Sequence, residues 1–362
     1  MMSALASTPC GMTRGSSRSR LGGPLRVTLV VCAAAGLVVG GVMSRPALAR
    51  SVPAPKTTRW TRFVHVAAVL DLTGPRTDAT LTVAADGRLS LLHLGGALTP
   101  FAAGAGGYST TKGPEPYIAL STGETPDGSG CSFGRDDVYA LEPKARPGVI
   151  QIDPLGQVRR LVDFPAGVSP SGIAFDDVGR FGHRLLVTAT VPGSTAVYAI
   201  DCAGRVTPIT VRARYMEGGV VVAPATFGAF AGDLVGADEH TGRIVAIGPD
   251  GSSRILARSG LASGGDIGVE SIGVIPADVG ASAYLADRRS PGNRHPGTDS
   301  ILRLTGTQLA QQGAAPGDLL VATEGGAKTI VVHCAQSCTV RHVADGPSVS
   351  HAEGHIVFAP AP

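Results

Sequence analysis

Several residue types are scarce in this chain. Aromatic residues make up 4% of the 362 residues, and Trp60 is the only tryptophan. A surface that stacks sugars or bases is therefore poorly supplied. No segment keeps a 3.6-residue apolar period over three turns, which argues against a mainly helical fold. Asn293 is the only asparagine, so a site cannot depend on several asparagine ligands.

The sequence motifs of several enzyme classes are also absent. The chain contains no G-x-S-x-G, no H-E-x-x-H, no phosphate-binding G-x-x-x-x-G-K and no C-x-x-C. These absences argue against hydrolases with a nucleophile elbow, helical zinc proteases and phosphate-loop nucleotide hydrolases. Any chemistry must come from residues that the fold brings together.

The N-terminal segment has the features of an export signal. Residues 1–49 contain arginines and no acidic residue, the apolar run "VTLVVCAAAGLVVGGVM" at 27–43, and "ALA" at 47–49. This pattern predicts a signal peptide over 1–49, a mature chain that begins at Arg50, and a secreted protein without a membrane span after cleavage. The alternative is an uncleaved single-span anchor, for which the apolar run is short.

Removal of the signal peptide changes the charge of the chain. The full chain carries a net charge of +3, and the leader contributes five arginines, so the mature chain is close to −2. Without a basic excess there is little to hold a nucleic-acid backbone, so we expect no nucleic-acid partner.

Four cysteines follow the leader: Cys131, Cys202, Cys334 and Cys338. An even number in an exported protein predicts disulfides. The segment "VVHCAQSCTV" is typical of a hairpin with its two thiols across the turn, which predicts a Cys334–Cys338 bond and leaves Cys131–Cys202 by elimination. A metal site is the weaker interpretation, because the C-x3-C spacing has no matching second pair.

A motif of one small or acidic residue followed by a short apolar strand repeats along the chain. It occurs as "PEPYIALS" (114–121), "PSGIAFD" (170–176), "MEGGVVVAP" (216–224), "VESIGVIP" (269–276) and "HAEGHIVFAP" (351–360). Three further short strands and tight turns follow most copies, and 50 glycines and 26 prolines supply the turns. Units of roughly 40–50 residues with four strands each predict an all-β fold, a β-propeller.

The spacing of the units predicts six four-stranded blades, which begin near 353/80, 115, 171, 217, 270 and 315. Residues 80–103 supply three strands of a unit that lacks a clear first strand. The C-terminal copy of the motif (351–360) is a first strand that no further strands follow. We therefore expect the C-terminal strand to close the ring in a propeller domain over 80–362. Residues 50–79 form a linker with a spare strand (62–72) that serves the last blade or flanks the ring. Five or seven blades remain open.

The innermost strand of a blade begins at the channel mouth, and acidic residues hold this position in four units: Glu115, Glu217, Glu270 and Glu353. The loops "DEHTG" (238–242), "DRRSPGNRHPGTD" (287–299) and "TEGGAKT" (323–329) are expected on the same face. Converging carboxylates repel, and a divalent cation such as calcium or zinc would relieve the repulsion. The alternative is that each glutamate is solvated and caps local backbone N–H groups.

The segment "HAEGH" is the sharpest local signal of a site. On a regular strand His351, Glu353 and His355 project to one face. Two imidazoles and a carboxylate suit a divalent transition metal, and His351 or Glu353 could serve as a general base. The alternative is a polar strand end.

The first-strand motif that contains "EG", together with "GRIVAIGPDG" (242–251), is similar to the repeats of six-bladed propellers of the gluconolactonase, senescence-marker-protein and strictosidine-synthase-like group. The resemblance covers roughly residues 80–360. The resemblance implies a calcium or other divalent ion at the channel mouth, held by a glutamate from a first strand with asparagines and an aspartate. By position Glu115, Glu217, Glu270 or Glu353 takes the glutamate role. The asparagine ligands cannot be carried over, because Asn293 lies in a loop.

Two functions follow from these observations. One is a secreted, metal-dependent hydrolase of a small ester or lactone, with catalytic His351 and Glu353 at the channel mouth. The other is a non-catalytic propeller that binds a small molecule or a cell-envelope partner through the same face. In either case we expect a monomer with a small-molecule ligand at the mouth.

Overall fold

The computed structural model describes residues 58–102, 115–143, 146–278 and 280–361. The predicted signal peptide over 1–49 lies outside these residues. Within the described part of the chain, no helix has the length and apolar character needed to cross a membrane.

The described residues are almost entirely strands and turns. They contain one short α-helix, α1 (Gly306–Gln311), and one 3-10 turn, Gly228–Phe230. The strands in chain order are β1 (Thr58–Arg59), β2 (Thr61–His65), β3 (Val69–Thr73), β4 (Leu81–Ala85), β5 (Arg88–Leu92), β6 (Leu98–Ala102), β7 (Ile118–Leu120), β8 (Val138–Glu142), β9 (Gly148–Ile152), β10 (Val158–Asp163), β11 (Ser169–Phe175), β12 (Leu185–Val191), β13 (Ser194–Ile200), β14 (Val206–Ala213), β15 (Glu217–Val222), β16 (Leu234–Asp238), β17 (Arg243–Ile247), β18 (Ser253–Arg258), β19 (Val269–Val274), β20 (Ser282–Asp287), β21 (Ser300–Leu304), β22 (Leu319–Thr323), β23 (Thr329–Cys334), β24 (Cys338–Asp345) and β25 (Ala352–Ala359).

Four sheets are four-stranded antiparallel meanders of consecutive strands: β3–β6, β7–β10, β11–β14 and β15–β18. The second strand of each, such as β16, is buried on both faces because neighbouring sheets pack against it. The last strand of each, such as β14, is largely exposed. This repeated arrangement confirms the all-β propeller class and the four-stranded unit.

A fifth sheet contains nine strands in the order β1-β24-β23-β22-β19-β25-β20-β21-β2. It consists of two four-stranded groups plus β1, and a single parallel bridge between Ile272 and His355 joins β19 to β25. The C-terminal strand β25 and the N-terminal strand β2 belong to the same group. The C-terminal strand therefore contributes to closure, while the blade count of six stays a prediction because one continuous sheet holds both groups.

Three strand assignments from the sequence were wrong. The segment 62–72 is not one strand: its end forms β3 (Val69–Thr73), which pairs with β4 and supplies the missing first strand of the unit at 80–103, and its beginning forms β2, which pairs with β21. Strand pairing therefore starts before residue 80. β25 pairs with β20 rather than with β4. β19 pairs with β22, so β20 and β21 do not follow it in its own group. The physical reason is that the chain leaves β19, forms β20 and β21 in the adjacent group, and returns to pair β22 with β19, so neighbours in sequence are not neighbours in the sheet.

Irregular pairing marks the start of several innermost strands. The register shifts between Glu217 and Val220 in β15, and β25 shifts where Gly354 lies. Gly218 and Gly354 have φ values of +76° and +67°, a region that favours glycine. A Cβ on Gly354 would lie 2.2 Å from Asp71 Oδ1. These bulges interrupt the two-residue alternation, so side chains on either side of the glycine face different ways.

Both predicted disulfides are confirmed. Cys131–Cys202 joins the β7–β8 connection to the turn after β13, across 71 residues of sequence. Cys334–Cys338 lies across the β23–β24 hairpin and closes a loop with a separation of four residues.

Candidate functional site

Glutamates are concentrated at one end of the innermost strands. Six of the eight glutamates in the chain belong to one network of contacts and charges there: Glu115, Glu217, Glu239, Glu270, Glu324 and Glu353. Three of them lie in the first two residues of innermost strands, one precedes such a strand, and two follow second strands: Glu217, Glu270 and Glu353, then Glu115, then Glu239 and Glu324. Glutamate is therefore concentrated at this channel mouth, whereas the more numerous aspartates are spread along the chain.

Arg288 joins two of the predicted ligands. Its Nη1 donates to Glu115 Oε1 at 2.6 Å and to Glu353 Oε1 at 2.9 Å, and its side chain is 15% exposed. Burial and the charge of Glu353 raise the pKa of Glu115 to about 7, against the lowering effect of Arg288. An internal cation thus occupies the space between two carboxylates.

Tyr117 is buried between two other carboxylates. Its hydroxyl lies 2.9 Å from Glu270 Oε1 and 3.0 Å from Glu353 Oε2. One phenolic hydrogen can donate to only one of them, so the second contact requires a protonated carboxyl group. Glu270 fits that role, because burial and the charge of Glu353 hold its pKa well above the usual range.

His351 is hydrogen-bonded on one ring nitrogen to two carboxylates. Nε2 lies 2.8 Å from Glu324 Oε1 and 3.3 Å from Glu353 Oε1. Burial alone would lower the pKa of His351, but these partners raise it to about 10. Burial likewise opposes ionisation of Glu353, yet His351 and Arg288 lower its pKa to about 2. His351 is therefore a cation at neutral pH and Glu353 an anion.

Among the residues that the structure describes, two groups of side chains have potential metal-ligand atoms within 4.8 Å of one another: Glu239, Glu270 and Glu324 in one, and Glu324, His351 and Glu353 in the other. Glu324 belongs to both, is 5% exposed, and has no hydrogen-bond partner for Oε2 among the described residues. Burial raises the pKa of Glu324 to about 7, although the hydrogen bond from His351 acts in the opposite direction. A carboxylate buried with an unpaired oxygen is suited to a ligand.

The donor sets differ in their fit to a metal. The second group is internally paired, because His351 Nε2 already contacts both carboxylates and Glu353 also accepts from Arg288. The first group offers three carboxylates, which suits a hard cation that takes oxygen ligands. Of the four predicted ligands, the structure places Glu270 in the first group and Glu353 in the second. Glu115 and Glu217 belong to neither.

Glu217 lies beside the clusters. It accepts a hydrogen bond from Tyr215, and the Tyr215 ring stacks on His240 with centroids 5.2 Å apart. Burial, followed by the charge of Glu239, raises the pKa of Glu217 to about 7. His240 Nδ1 in turn lies 3.2 Å from Glu239 Oε1. This contact connects the stacked rings of Tyr215 and His240 to the first group of potential metal ligands.

The expectation that His355 shares a face with His351 and Glu353 was wrong. His355 Nδ1 lies 3.0 Å from Asp71 Oδ2, and Nε2 lies 3.0 Å from the Ile173 carbonyl oxygen. The bulge at Gly354 breaks the alternation of β25 and directs the imidazole to the interior. There it is an ion-pair partner of a fully buried aspartate.

A cavity of about 870 Å³ adjoins the glutamates. Its wall includes the carboxylates of Glu115, Glu217 and Asp238 and the rings of Tyr215 and His240. The volume is in the range of small-molecule sites. His240 lines the cavity and its Nδ1 lies 3.2 Å from Glu239 Oε1, so the cavity lies beside the group of Glu239, Glu270 and Glu324.

The sequence analysis missed several residues of this site. Glu239, Arg288 and Glu324 each follow the last residue of a second strand, in the three loops expected at the mouth, but only the loops were identified. The available signal was the segregation of glutamate into such positions. Tyr117 lies two residues after Glu115 in an apolar motif, and this pattern does not indicate that its hydroxyl contacts a carboxylate.

Fold and site together define a β-propeller with a carboxylate-rich channel mouth. No family model and no curated protein matches the chain. Among solved structures it is similar to regucalcin, a calcium-binding protein from Agrobacterium tumefaciens, at 12% identity with a TM-score of 0.47, covering 84% of this chain and 83% of that one.

Two further solved structures match the chain. A streptogramin B lyase is 11% identical with a TM-score of 0.43, covering 83% of this chain and 90% of that one. A protein assigned as a gluconolactonase is 12% identical with a TM-score of 0.34, covering 69% and 93%. The neighbours thus include the group that the sequence resembles. With TM-scores below 0.5 they carry no argument about activity, and the fold class rests on the strand pairing itself.

Proposed function

We propose that the channel mouth binds one divalent cation between Glu239, Glu270 and Glu324, and that the protein uses this centre to hydrolyse a small ester or lactone bound in the adjoining cavity. The observation that carries the proposal is the convergence of three carboxylates from different elements within 4.8 Å. The unpaired Glu324 Oε2 supports it independently.

Charge favours a cation at this position. With every carboxylate ionised, six negative charges at the mouth face two described cations of the network, Arg288 and protonated His351. Burial, followed by the charges of neighbouring glutamates, raises carboxyl pKa values, as it does for Glu270 and Glu217. A divalent ion would offset this repulsion. Three oxygen donors favour calcium over zinc, which prefers imidazole and thiolate ligands.

The surrounding residues hold the mouth in shape. Arg288 fixes Glu115 and Glu353 relative to each other, and Tyr117 fixes Glu270 relative to Glu353. A divalent cation bound there would polarise a substrate carbonyl and acidify a bound water. A protonated His351 cannot act as a general base at neutral pH, so the predicted catalytic pair His351 and Glu353 is better suited to positioning. The proposed site of action is extracellular, in keeping with the two disulfides.

A non-catalytic binding propeller is the second candidate. It is favoured by the same internal pairing, because His351 Nε2 already contacts Glu324 and Glu353, and Glu353 also accepts from Arg288. Under this alternative the cation and the cavity bind a small molecule without turnover.

Hydrolysis measured against a defined cation separates the two candidates. Mature protein stripped of metal is assayed by acid release from p-nitrophenyl acetate and δ-valerolactone, with chelator or with calcium. The hydrolase proposal expects calcium-dependent turnover that Glu324→Gln removes. The matched variant Asp127→Asn, which also removes one negative charge but changes an exposed residue in the β7–β8 connection, should retain it. Calcium binding without turnover of either substrate would favour the binding propeller.

A further inference from the structure

The cavity beside the cation cluster has a one-sided charge. Its wall includes three carboxylates, from Glu115, Glu217 and Asp238, and neither lysine nor arginine is among the described residues that line it. The negative charge of the wall would repel a carboxylate or phosphate ligand. It would attract a ligand that carries a positive charge.

The three carboxylates are not equally available. Glu115 already pairs with Arg288, and Asp238 accepts from Thr241 in its own turn. Glu217 accepts from the neutral hydroxyl of Tyr215, and none of the described ion pairs includes it. Glu217 is therefore the wall carboxylate with a charge to be matched by a ligand.

The neighbourhood of Glu217 also suits an organic cation. Tyr215 and His240 stack with an interplanar angle of 8°, and both line the cavity together with Val191 and Pro192. Aromatic faces attract ammonium groups, and the apolar residues provide contact area for carbon chains. A small, strongly hydrated metal ion would use neither of these features.

We propose that the cavity binds an amine-bearing small molecule, with its ammonium group on Glu217 beside the Tyr215 ring. This deepens the proposed function by naming a substrate class, an ester or lactone with a protonated amine. It rests on the same mouth but on different residues, because Glu217 lies outside the carboxylate cluster of Glu239, Glu270 and Glu324.

Three probes of equal carbon number test the charge preference directly. Calorimetric titration in chelator, at pH 7.5 and two salt concentrations, compares 1,4-diaminobutane with 1,4-butanediol and succinate. We expect binding of the diamine alone, weakened by salt. Glu217→Gln should weaken it at least tenfold, whereas Asp127→Asn should leave it within twofold.

Separate calcium titrations of these variants and of Glu324→Gln distinguish this inference from the proposed function. Loss of calcium binding in Glu324→Gln with diamine binding retained supports both. Diamine binding by a protein that binds no calcium would overturn the cation site and keep the amine site. Equal binding of butanediol, binding of succinate, absence of diamine binding, or an unchanged affinity in Glu217→Gln would overturn the amine inference.

Discussion

The guanidinium of Arg288 lies 2.9 Å from the carboxylate of Glu353, and the same nitrogen reaches Glu115 at 2.6 Å. One side chain from the loop after β20 thereby joins the C-terminal strand to the segment that precedes β7. Glu353 is 3% exposed in its side chain, so this contact neutralises a carboxylate that has little access to water.

Arg288→Met should destabilise the protein strongly. The change leaves two carboxylates without their cation, and the loss of one partner of a buried ion pair costs about 3–5 kcal/mol. Urea unfolding monitored by circular dichroism gives the free energy of unfolding of the variant and the wild type. Calcium should restore part of the loss. A loss below about 1 kcal/mol would mean that the Arg288 contacts contribute no more than a surface pair.

The stability of the metal-free protein should fall as pH rises from about 4.5 to 7. Glu115, Glu217 and Glu324 have folded-state pKa values of about 7 against an ordinary 4.5. The folded state therefore binds more protons than the unfolded state in this window, and stability decreases with pH across it.

Two other groups set the outer limits of that profile. Glu353, with a pKa of about 2, stabilises the fold above pH 4.5 and loses this contribution as pH falls towards 2. His351, with a pKa of about 10, stabilises it below pH 6.5 and loses this contribution as pH rises towards 10. Thermal unfolding in chelator should thus give a maximum near pH 5. A melting temperature that rises steadily from pH 5 to 7.5 would contradict the raised carboxyl pKa values.

Asp71→Asn should cost about 3–5 kcal/mol, because it removes one partner of the buried pair with His355. Asp71 also accepts from the backbone N–H groups of Leu72 and Ile118, and asparagine can replace only part of that acceptance. Urea unfolding measures the loss. Calcium affinity should stay within twofold of wild type, since the pair lies outside both carboxylate clusters; a large change in affinity would show that the two regions are coupled.

The two disulfides should contribute unequally. In the chain-entropy model the bond that spans 71 residues stabilises by about 4 kcal/mol and the hairpin bond by about 2 kcal/mol. Paired Cys→Ser variants, Cys131/Cys202 and Cys334/Cys338, compared by urea unfolding, test the order. A larger loss from the hairpin pair would mean that local packing outweighs loop closure.

The sequence predicted the local units well, because four-stranded meanders are fixed by neighbours in the chain. The alternating strands, the tight turns and the Cys334–Cys338 pair across a hairpin are local signals of this kind, whereas the Cys131–Cys202 pair, 71 residues apart, followed by elimination. The pairing of β19 and β25 with strands from distant segments was not predicted, because the residues of an apolar strand do not specify which other strand it pairs with. The direction of His355 was likewise not predicted, because one bulge at Gly354 reverses the face of every residue that follows.

Strand starts at the mouth indicated Glu115, Glu217, Glu270 and Glu353 as neighbours, and the structure brings them into one network of contacts and charges. Their role as metal ligands stays a prediction. Their pairing could not be predicted, because Arg288 lies 173 residues from Glu115 and its loop gives no sign of where its side chain reaches. Which glutamates remain available for a cation depends on that pairing.

Calcium titration of the metal-free protein by calorimetry at pH 7.5, with Glu324→Gln and Asp127→Asn beside the wild type, shows whether the carboxylates at the channel mouth bind a cation. We expect one calcium per chain and a rise in melting temperature, since a ligand at about 100 times Kd adds roughly 2.7 kcal/mol to the free energy of unfolding. Glu324→Gln should weaken the affinity at least tenfold, about 1.4 kcal/mol, and Asp127→Asn should not. No heat of binding and a melting temperature unchanged between calcium and chelator would show that the mouth binds no calcium.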